Sequence, residues 1–303
     1  MAEYDMGFKD GKISNMMTRI ISGIIFALIM IGLVWAGGIV CAIGFYFISR
    51  IAFHELMDVF KLRDKHDNKL SFYQFVGDCM LLMHYFFIAA GFSHFYALFS
   101  VVFGFMFIML ISIIDYPEHD LDEVMKMIIA YIYGGIMLSF VPLCRSIAAP
   151  DESGMYIYGF FMAWMILISA WASDTFAYFV GVAIGKHKAF PKLSPKKSWE
   201  GCIGGLIGAA VAGLLYGLVL GWTGHGEYGS PKMFMFIGFV GSIVGQMGDL
   251  VASGIKRRYG IKDFGNVIPG HGGIMDRFDS VIFIAPMIYF MAYSMLNDPI
   301  YWK

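Results

Sequence analysis

The stretch FYALFSVVFGFMFIMLISII, residues 95–114, carries no charged side chain. A helix of about 20 apolar residues crosses the hydrocarbon core of a bilayer, so this stretch predicts a transmembrane helix. The rest of the chain has the same character: 58% of its 303 residues are hydrophobic and 15% are charged. An ordinary soluble protein has roughly 25% charged residues. The composition therefore predicts a polytopic membrane protein.

Eight further stretches meet the same criterion, which predicts an all-α protein with about nine transmembrane helices. In chain order the nine spans are 20–36, 38–60, 72–92, 95–114, 125–144, 155–184, 201–222, 233–252 and 278–296. We divide the chain into an N-terminal transmembrane region of about five helices, residues 1–150, and a C-terminal region of about four, residues 151–303. Ionisable residues at the ends of the spans concentrate in the second region, where we expect the functional site.

The distribution of positive charge predicts the orientation of the chain. Of 22 Lys and Arg residues, all but Arg145, Lys232 and Lys303 lie in the N-terminal tail or in loops on the same side as that tail. Because Lys and Arg accumulate in cytoplasmic loops, this 19-to-3 bias predicts a cytoplasmic N-terminus and, with nine spans, an extracytoplasmic C-terminus. The net charge of −1 provides no field that would recruit nucleic acid.

Carboxylates occur where predicted spans meet the cytoplasmic side. Asp174 lies within span six, Asp249 near the end of span eight, and Asp276 and Asp279 at the start of span nine. Ionisable groups at such depths are usually paired, bound to metal or directed into a water-filled cavity. Residues three or four positions apart share one face of a helix, so Asp249, Ser253 and Lys256 should face the same side. The three helix ends should therefore direct several acids into one cavity.

The acids lie in two polar segments, residues 171–201 and 246–280, and positive side chains outnumber them there. These positive side chains are Lys196, Lys197, Lys256, Arg257, Lys262 and Arg277. Between the acids runs Ile268–Gly273, in which proline and glycines surround His271. Glycine allows the backbone N–H groups of such a loop to approach an anion closely. Acids with surplus cations beside lipid indicate a divalent metal that holds phosphate groups.

Two other interpretations fit part of this pattern. Intramembrane carboxylates such as Asp174 and Asp249 also occur in ion-coupled transporters, but these fold as inverted repeats, and here both polar segments lie in the C-terminal half. The run Lys256–Arg258 also suits a headgroup contact or a topology anchor. The small-residue pairs Gly201/Gly205, Gly204/Gly208 and Gly241/Gly245 suit close helix contact, within the chain or across the interface of a homodimer.

Two segments resemble a known family. Residues 253–279, SGIKRRYGIKDFGNVIPGHGGIMDRFD, match without departure the C-terminal signature of phosphatidate cytidylyltransferases, the CDP-diacylglycerol synthases. An upstream segment is similar to the same family through SDTFAY at 173–178, GK at 185–186 and LSPKKSWEG at 193–201, with Ser198 where many members have Thr. The first 150 residues match the family in spans and hydropathy alone.

The resemblance implies a multi-pass membrane enzyme that converts CTP and phosphatidate in the bilayer to CDP-diacylglycerol and pyrophosphate. It implies Mg²⁺ as cofactor, with room for a second cation, and an active site on the cytoplasmic face. A sister enzyme would perform the same chemistry on another lipid phosphate, for example an archaeal ether lipid, since the acyl contacts lie in spans that the motifs do not cover.

On this basis we assign roles to the candidate residues. Asp249 and Asp276 are the expected metal ligands, with Asp279 as a further ligand. The residues expected to stabilise or orient the reacting and leaving phosphates are Lys262, His271, Arg277 and Asp174. Those expected to bind the phosphates of CTP or phosphatidate are Ser194, Lys196, Lys197, Ser253, Lys256, Arg257, Gly272 and Gly273.

Overall fold

The computed structural model describes residues 3–62, 72–114, 121–148 and 156–297. Within these ranges, seven helices are long and apolar enough to cross a membrane, and two shorter apolar helices accompany them. The nine helices correspond to the nine predicted spans, which confirms the polytopic prediction. Four residues of the charge count, Arg63, Lys65, Lys69 and Lys303, lie outside the described ranges, as does the predicted region boundary at residue 150.

The N-terminal half consists of five apolar helical segments. Its helices are α1 (Glu3–Ala36), α2 (Gly38–Val59), α3 (Phe72–Ala89), α4 (His94–Ile114), α5 (Leu121–Ile129) and α6 (Phe140–Arg145). Helix α1 begins well before the predicted start at residue 20. Gly37 separates α1 from α2 with φ +62°, a backbone conformation that glycine adopts without steric cost.

The fifth span is continuous from Leu121 to Arg145 but changes its helix type. A π-helix, Ala130–Ile136, and a 3₁₀ turn, Met137–Ser139, join α5 to α6. At this position the chain packs tightly: a Cβ on Gly134 would lie 3.0 Å from the carbonyl oxygen of Ala52 in α2. Local π-helical insertions are recognised irregularities of α-helices, but the hydropathy pattern of this span does not indicate one.

The C-terminal half contains the longest helices and one hairpin. Its elements are α7 (Ile157–Ile184), β1 (Lys188–Phe190), β2 (Ser194–Ser198), α8 (Trp199–Trp222), a 3₁₀ turn (Gly226–Tyr228), α9 (Pro231–Tyr259), α10 (Met275–Phe278) and α11 (Val281–Asn297). The antiparallel strands β1 and β2 pair Lys188 with Ser198. The hairpin was not predicted, and the ninth span begins at Val281 after the separate short helix α10.

Glycines allow α7, α8 and α9 to pack closely. A Cβ on Gly201 would lie 2.8 Å from the carbonyl oxygen of Ala177, and one on Gly205 would lie 2.9 Å from that of Ser173. Small residues permit this close approach of helix backbones. Gly201 and Gly205 thus serve packing within the chain, one of the two uses that their spacing allows, and this packing holds the polar ends of the helices together. The homodimer stays a prediction.

Candidate functional site

A cavity with both charged and apolar lining residues opens where α7, α8, α9 and the hairpin meet. It has a volume of about 280 Å³, and its lining includes Asp174, Lys196, Lys197, Ser198 and Gln246. Helix α8 begins directly after the hairpin, because the Ser198 side chain accepts a hydrogen bond from the N–H of Gly201, as an N-cap residue does. The hairpin is thereby fixed against the helices, and two of the predicted phosphate-binding lysines line the cavity.

An ion pair connects the hairpin to α9. Lys197 Nζ lies 2.5 Å from Asp249 Oδ2, and both side chains are partly exposed, at 23% and 29%. The two residues are 52 positions apart, yet both were predicted to belong to one phosphate and metal site. The structure places them together at the cavity, so a charged ligand here would contact a cation and a carboxylate simultaneously.

Three carboxylates lie near one another beside this pair. Asp174 and Asp279 each experience the negative charge of Asp249, and Asp279 also experiences that of Asp174. A close backbone approach produces part of this arrangement, since a Cβ on Gly248 would lie 2.4 Å from the carbonyl oxygen of Asp279. Lys197 and Arg277 act on Asp174, and Lys256 acts on Asp279. Clustered like charges of this kind favour a bound cation.

Asp276 occupies a buried position with three hydrogen bonds. Its Oδ1 accepts from Lys256 Nζ at 2.9 Å, and its Oδ2 accepts from the backbone N–H groups of Phe264 at 2.7 Å and Gly273 at 3.0 Å. Its side chain is 2% exposed. Asp276 therefore joins α9 to the glycine-rich loop, and its Oδ1 faces a cation. The N–H of Gly273 donates within the protein, so Gly273 shapes the loop.

The loop between α9 and α10 forms a tight turn. The N–H of Ile268 donates to the carbonyl oxygen of Gly272, and the N–H of His271 donates to that of Ile268, both at 2.9 Å. Gly272 has φ +87°, and a Cβ there would lie 2.9 Å from Asp276 Oδ2. Both the backbone conformation and the space require glycine at this position. The predicted glycine-controlled loop is present.

His271 contacts a helix that the sequence motifs do not include. Its Nδ1 lies 2.7 Å from the Oγ of Ser22 in α1, and the same hydroxyl lies 3.0 Å from the carbonyl oxygen of Pro269. Partial burial lowers the pKa of His271, and the positive charges of Arg277 and Arg19 lower it further. These effects disfavour the protonated form of the ring, and its Nδ1 lies within hydrogen-bond distance of a hydroxyl group.

Glu55 in α2 is a second residue that the motifs do not reveal. Its carboxylate oxygens accept hydrogen bonds from the backbone N–H groups of Ile274 and Met275, each at 2.9 Å. The residue is 6% exposed. A buried carboxylate at the start of α10 satisfies N–H groups that have no partner within the helix. A glutamate within an apolar span was the available signal, and the signature alone did not identify its partner.

The other predicted residues lie around this core. Arg257 Nε donates to the carbonyl oxygen of Leu193 at 3.4 Å, which brings the hairpin against α9. Lys196 and Lys262 are exposed, and Ser194 and Ser253 are half-buried. Within the described ranges, no group of three or more His, Cys, Asp and Glu side chains is arranged to hold a metal ion. Mg²⁺ is commonly held by one or two carboxylates together with substrate phosphates and water, and the acids here suit that mode.

Comparisons with known proteins identify relatives of this chain over most of its length. The Cytidylyltransferase family matches residues 17–295. A phosphatidate cytidylyltransferase of Bacillus subtilis is 32% identical over 284 residues, which cover 91% of this chain and 97% of that protein. One from Staphylococcus saprophyticus is 29% identical over 90% of this chain and 97% of that protein. One from Thermotoga maritima is 36% identical over 57% and 60% of the respective chains.

These matches extend through both halves of the molecule, including the N-terminal spans that the motifs did not cover. They favour the enzyme over the ion-coupled transporter. The Thermotoga relative has the higher identity of these two over a shorter segment, whereas the Bacillus relative is matched over nearly its full length. The chain therefore belongs to the cytidylyltransferase family.

Proposed function

We propose that this chain is a phosphatidate cytidylyltransferase, a membrane enzyme that converts CTP and phosphatidate to CDP-diacylglycerol and pyrophosphate. The observation that carries the proposal is the meeting of Lys197, Asp249, Lys256 and Asp276 at one end of an apolar helix bundle. A lipid substrate requires a site at the membrane surface, and a triphosphate requires several cations. The site combines both, and the family relatives bear the name of this activity.

The reaction joins two anions. An oxygen of the phosphatidate phosphate attacks the α-phosphorus of CTP, the new P–O bond forms, and the bond to the β-phosphate oxygen breaks to release pyrophosphate. The lipid phosphate is already ionised at neutral pH, so no strong general base is needed. Catalysis then consists of positioning the two substrates and stabilising the negative charge of the displacement.

The acids suit Mg²⁺ because carboxylate oxygens are its preferred protein ligands. We assign Asp249 as the principal ligand, with Asp276 Oδ1 as the second and Asp279 as a further one. Asp174 lies near enough to orient a ligand or to help hold a second cation. When bound, the metal would neutralise phosphate charge and polarise the phosphorus centre under attack. Lys256, which pairs with Asp276 Oδ1 in the structure, would also bind a substrate phosphate.

The positive side chains bind and orient the substrates. In the hairpin, Lys197 and Lys196 hold phosphates at the cavity, and the hydroxyl of Ser194 donates to them. Ser253, Lys256 and Arg257, which lie along one turn of α9, do the same. The side chains of Lys262, His271 and Arg277 stabilise or orient the reacting and leaving phosphates. The tight turn at Gly272 and Gly273 fixes the position of His271.

The active site faces the cytoplasm in this proposal. Two cation-rich segments, the hairpin and the end of α9, lie at the site together with Arg19 of α1, which lies against Gly270. The opposite end of the bundle is marked by Arg145, which donates to the carbonyl oxygens of Val34 and Tyr156. Because cytoplasmic loops are enriched in Lys and Arg, the site end is the cytoplasmic end.

The test is turnover by purified protein. In mixed micelles of detergent and phosphatidate with Mg²⁺, we expect CTP labelled at the α-phosphate to transfer its label to lipid, with one pyrophosphate released per CDP-diacylglycerol formed. Omission of phosphatidate, or chelation of Mg²⁺ by EDTA, should abolish both products. Transfer to an ether-linked lipid phosphate but not to phosphatidate would instead identify the sister enzyme. Failure with both lipids would contradict the proposal.

A further inference from the structure

An apolar groove runs along α1 beside the glycine-rich loop. One wall consists of Ile21, Ile25 and Ile29, which are four residues apart and share one face of the helix. The other wall consists of Val267 and Pro269 of the loop, and Ile48 of α2 contributes to the floor. The groove has a volume of about 570 Å³, within the range of roughly 300–1,000 Å³ typical of small-molecule sites.

One end of this groove is polar and belongs to the site described above. Ser22 lines the groove, and its hydroxyl lies 2.7 Å from the Nδ1 of His271. Arg19 lies one turn earlier on α1, and its Cγ would be 2.9 Å from a Cβ on Gly270. The charges of Arg19 and Arg277 both reach His271. An anionic headgroup beside His271 would therefore experience the positive charges of Arg19 and Arg277.

The length of the groove agrees with one leaflet of a bilayer. Its lining along α1 extends from Thr18 to Ile29, which is about 16 Å at 1.5 Å per residue. Half of the hydrocarbon core is about 15 Å thick. If the headgroup of a phospholipid lies at the level of Arg19, an acyl chain in the groove would thus end near the bilayer midplane.

We propose that this groove seats one acyl chain of the phosphatidate substrate, with α1 and the loop as its walls and Arg19 at the level of the lipid phosphate. The inference rests on the proposed function. The substrate lipid is the expected occupant of the groove, because two cations lie near His271 at the polar end and this combination suits a phosphomonoester. Helix α1 is then a substrate-binding element, although it lies more than 200 residues from the signature.

The first test is to fill the groove. We expect Ile25→Trp to raise the KM for long-chain phosphatidate about tenfold, the factor expected when roughly two methylene groups lose their burial. The KM for CTP and the turnover of water-soluble dihexanoyl phosphatidate should stay unchanged. Ile24→Trp is the matched control, since Ile24 is 55% exposed against 52% for Ile25 but does not line the groove.

Equal effects of both substitutions, or no effect of either, would overturn the acyl-chain proposal without contradicting the proposed function. A loss of dihexanoyl turnover equal to the long-chain loss would also overturn it, because the substitution would then act on the loop. If the unsubstituted protein turns over neither lipid, the proposed function fails, and the groove proposal fails with it. These three outcomes separate the two proposals.

A binding measurement distinguishes the substrate from bulk lipid. Phosphatidate with a diazirine in its acyl chain should label the α1 segment 17–29, and unlabelled phosphatidate should compete for that labelling. Phosphatidylcholine with the same acyl chains should compete at least about tenfold less well, because its phosphodiester headgroup carries less negative charge. Equal competition by the two lipids would mean that the groove holds any bilayer lipid, and would overturn the proposal.

Discussion

The carboxylate of Glu55 accepts a hydrogen bond from the backbone N–H of Ile274 at 2.9 Å, across 219 positions of sequence. The contact links the second helix of the protein to the segment that precedes Asp276. The N-terminal spans therefore have a structural role at the active site, in addition to anchoring the chain in the membrane.

Glu55→Ala should impair the site through its geometry. Removal of the carboxylate leaves the N–H groups of Ile274 and Met275 buried without acceptors, and each such group costs about 1–3 kcal/mol. We expect kcat to fall at least about tenfold, and the Mg²⁺ concentration for half-maximal activity to rise as Asp276 moves. Glu55→Gln retains one acceptor oxygen and should restore part of the activity. Wild-type kinetics and Tm in the alanine variant would contradict the positioning role.

Asp249→Asn tests the metal assignment. The substitution preserves size but removes the charge, so turnover should fall about 10²-fold or more, since metal stabilisation of the displacement is worth several kcal/mol. Melting temperature should change little, because Asp249 is 29% exposed. Glu227→Gln removes one carboxylate charge from the exposed 3₁₀ turn after α8 and should leave activity unchanged. Near-normal Mg²⁺-dependent transfer by Asp249→Asn would refute the assignment.

Asp276→Asn should show a combined effect. Its carboxylate accepts from Lys256 and from two backbone N–H groups, so the variant should lose both turnover and stability. Loss of a hydrogen bond to a charged group costs about 1.5–3 kcal/mol, and the Tm should therefore fall more than in Asp249→Asn. Activity and thermal melting of the two variants, measured in parallel, provide the check. A variant with a normal Tm and no turnover would contradict the stabilising role of Asp276 and leave only its role as a metal ligand.

Lys197→Ala should weaken the binding of nucleotide. Its Nζ contacts Asp249 at the cavity, where a phosphate would take its charge. We expect the KM for CTP to rise or kcat to fall by about tenfold, with the protein still folded because the lysine lies on the hairpin. Lys188→Ala, on the other strand of the hairpin, is a matched control. If the kinetics with CTP are unchanged in Lys197→Ala, the assignment of this lysine to the nucleotide-binding site is wrong.

The orientation can be measured with single cysteines in a variant without native cysteines. Lys188 in β1 and Lys232 at the start of α9 are both exposed and lie at opposite ends of the bundle. A membrane-impermeant maleimide added to intact cells should label Lys232→Cys but not Lys188→Cys. Permeabilisation should make both residues reactive. Labelling of Lys188→Cys in intact cells would reverse the proposed topology.

Much of the site was predictable because its residues are close in sequence or one helix turn apart. Asp249 and Lys256 lie on α9 as their spacing predicts, and the glycines at 270, 272 and 273 indicate a tight loop. The partners of that loop were not predictable. Ser22 lies in an apolar span, and Glu55 lies in a span that also contains Arg50, His54 and Asp58, so neither residue indicates its partner by itself. Their contacts depend on how the helices pack.

The same reasoning explains the errors in the fold. Hydropathy locates the fifth span but does not distinguish α-helix from π-helix, since it reports how apolar the segment is and not which backbone groups are hydrogen-bonded. The β1–β2 hairpin, which has lysines, proline and serine in place of an apolar alternation, lacks the pattern that predicts strands. Contacts that these patterns do not report accompany both elements: Gly134 packs against α2, and Ser198 accepts a hydrogen bond from the N–H of Gly201 at the start of α8.

The link between Glu55 and Ile274 also has a consequence for biosynthesis. A ribosome that adds about 5–20 residues per second completes the 219 intervening residues in roughly 11–44 s. During that interval the second helix is already made, but its carboxylate has no partner. The contact that joins α2 to the segment before α10 can therefore form only after the residues up to Ile274 have been translated, and a chain that ends before Ile274 would lack it.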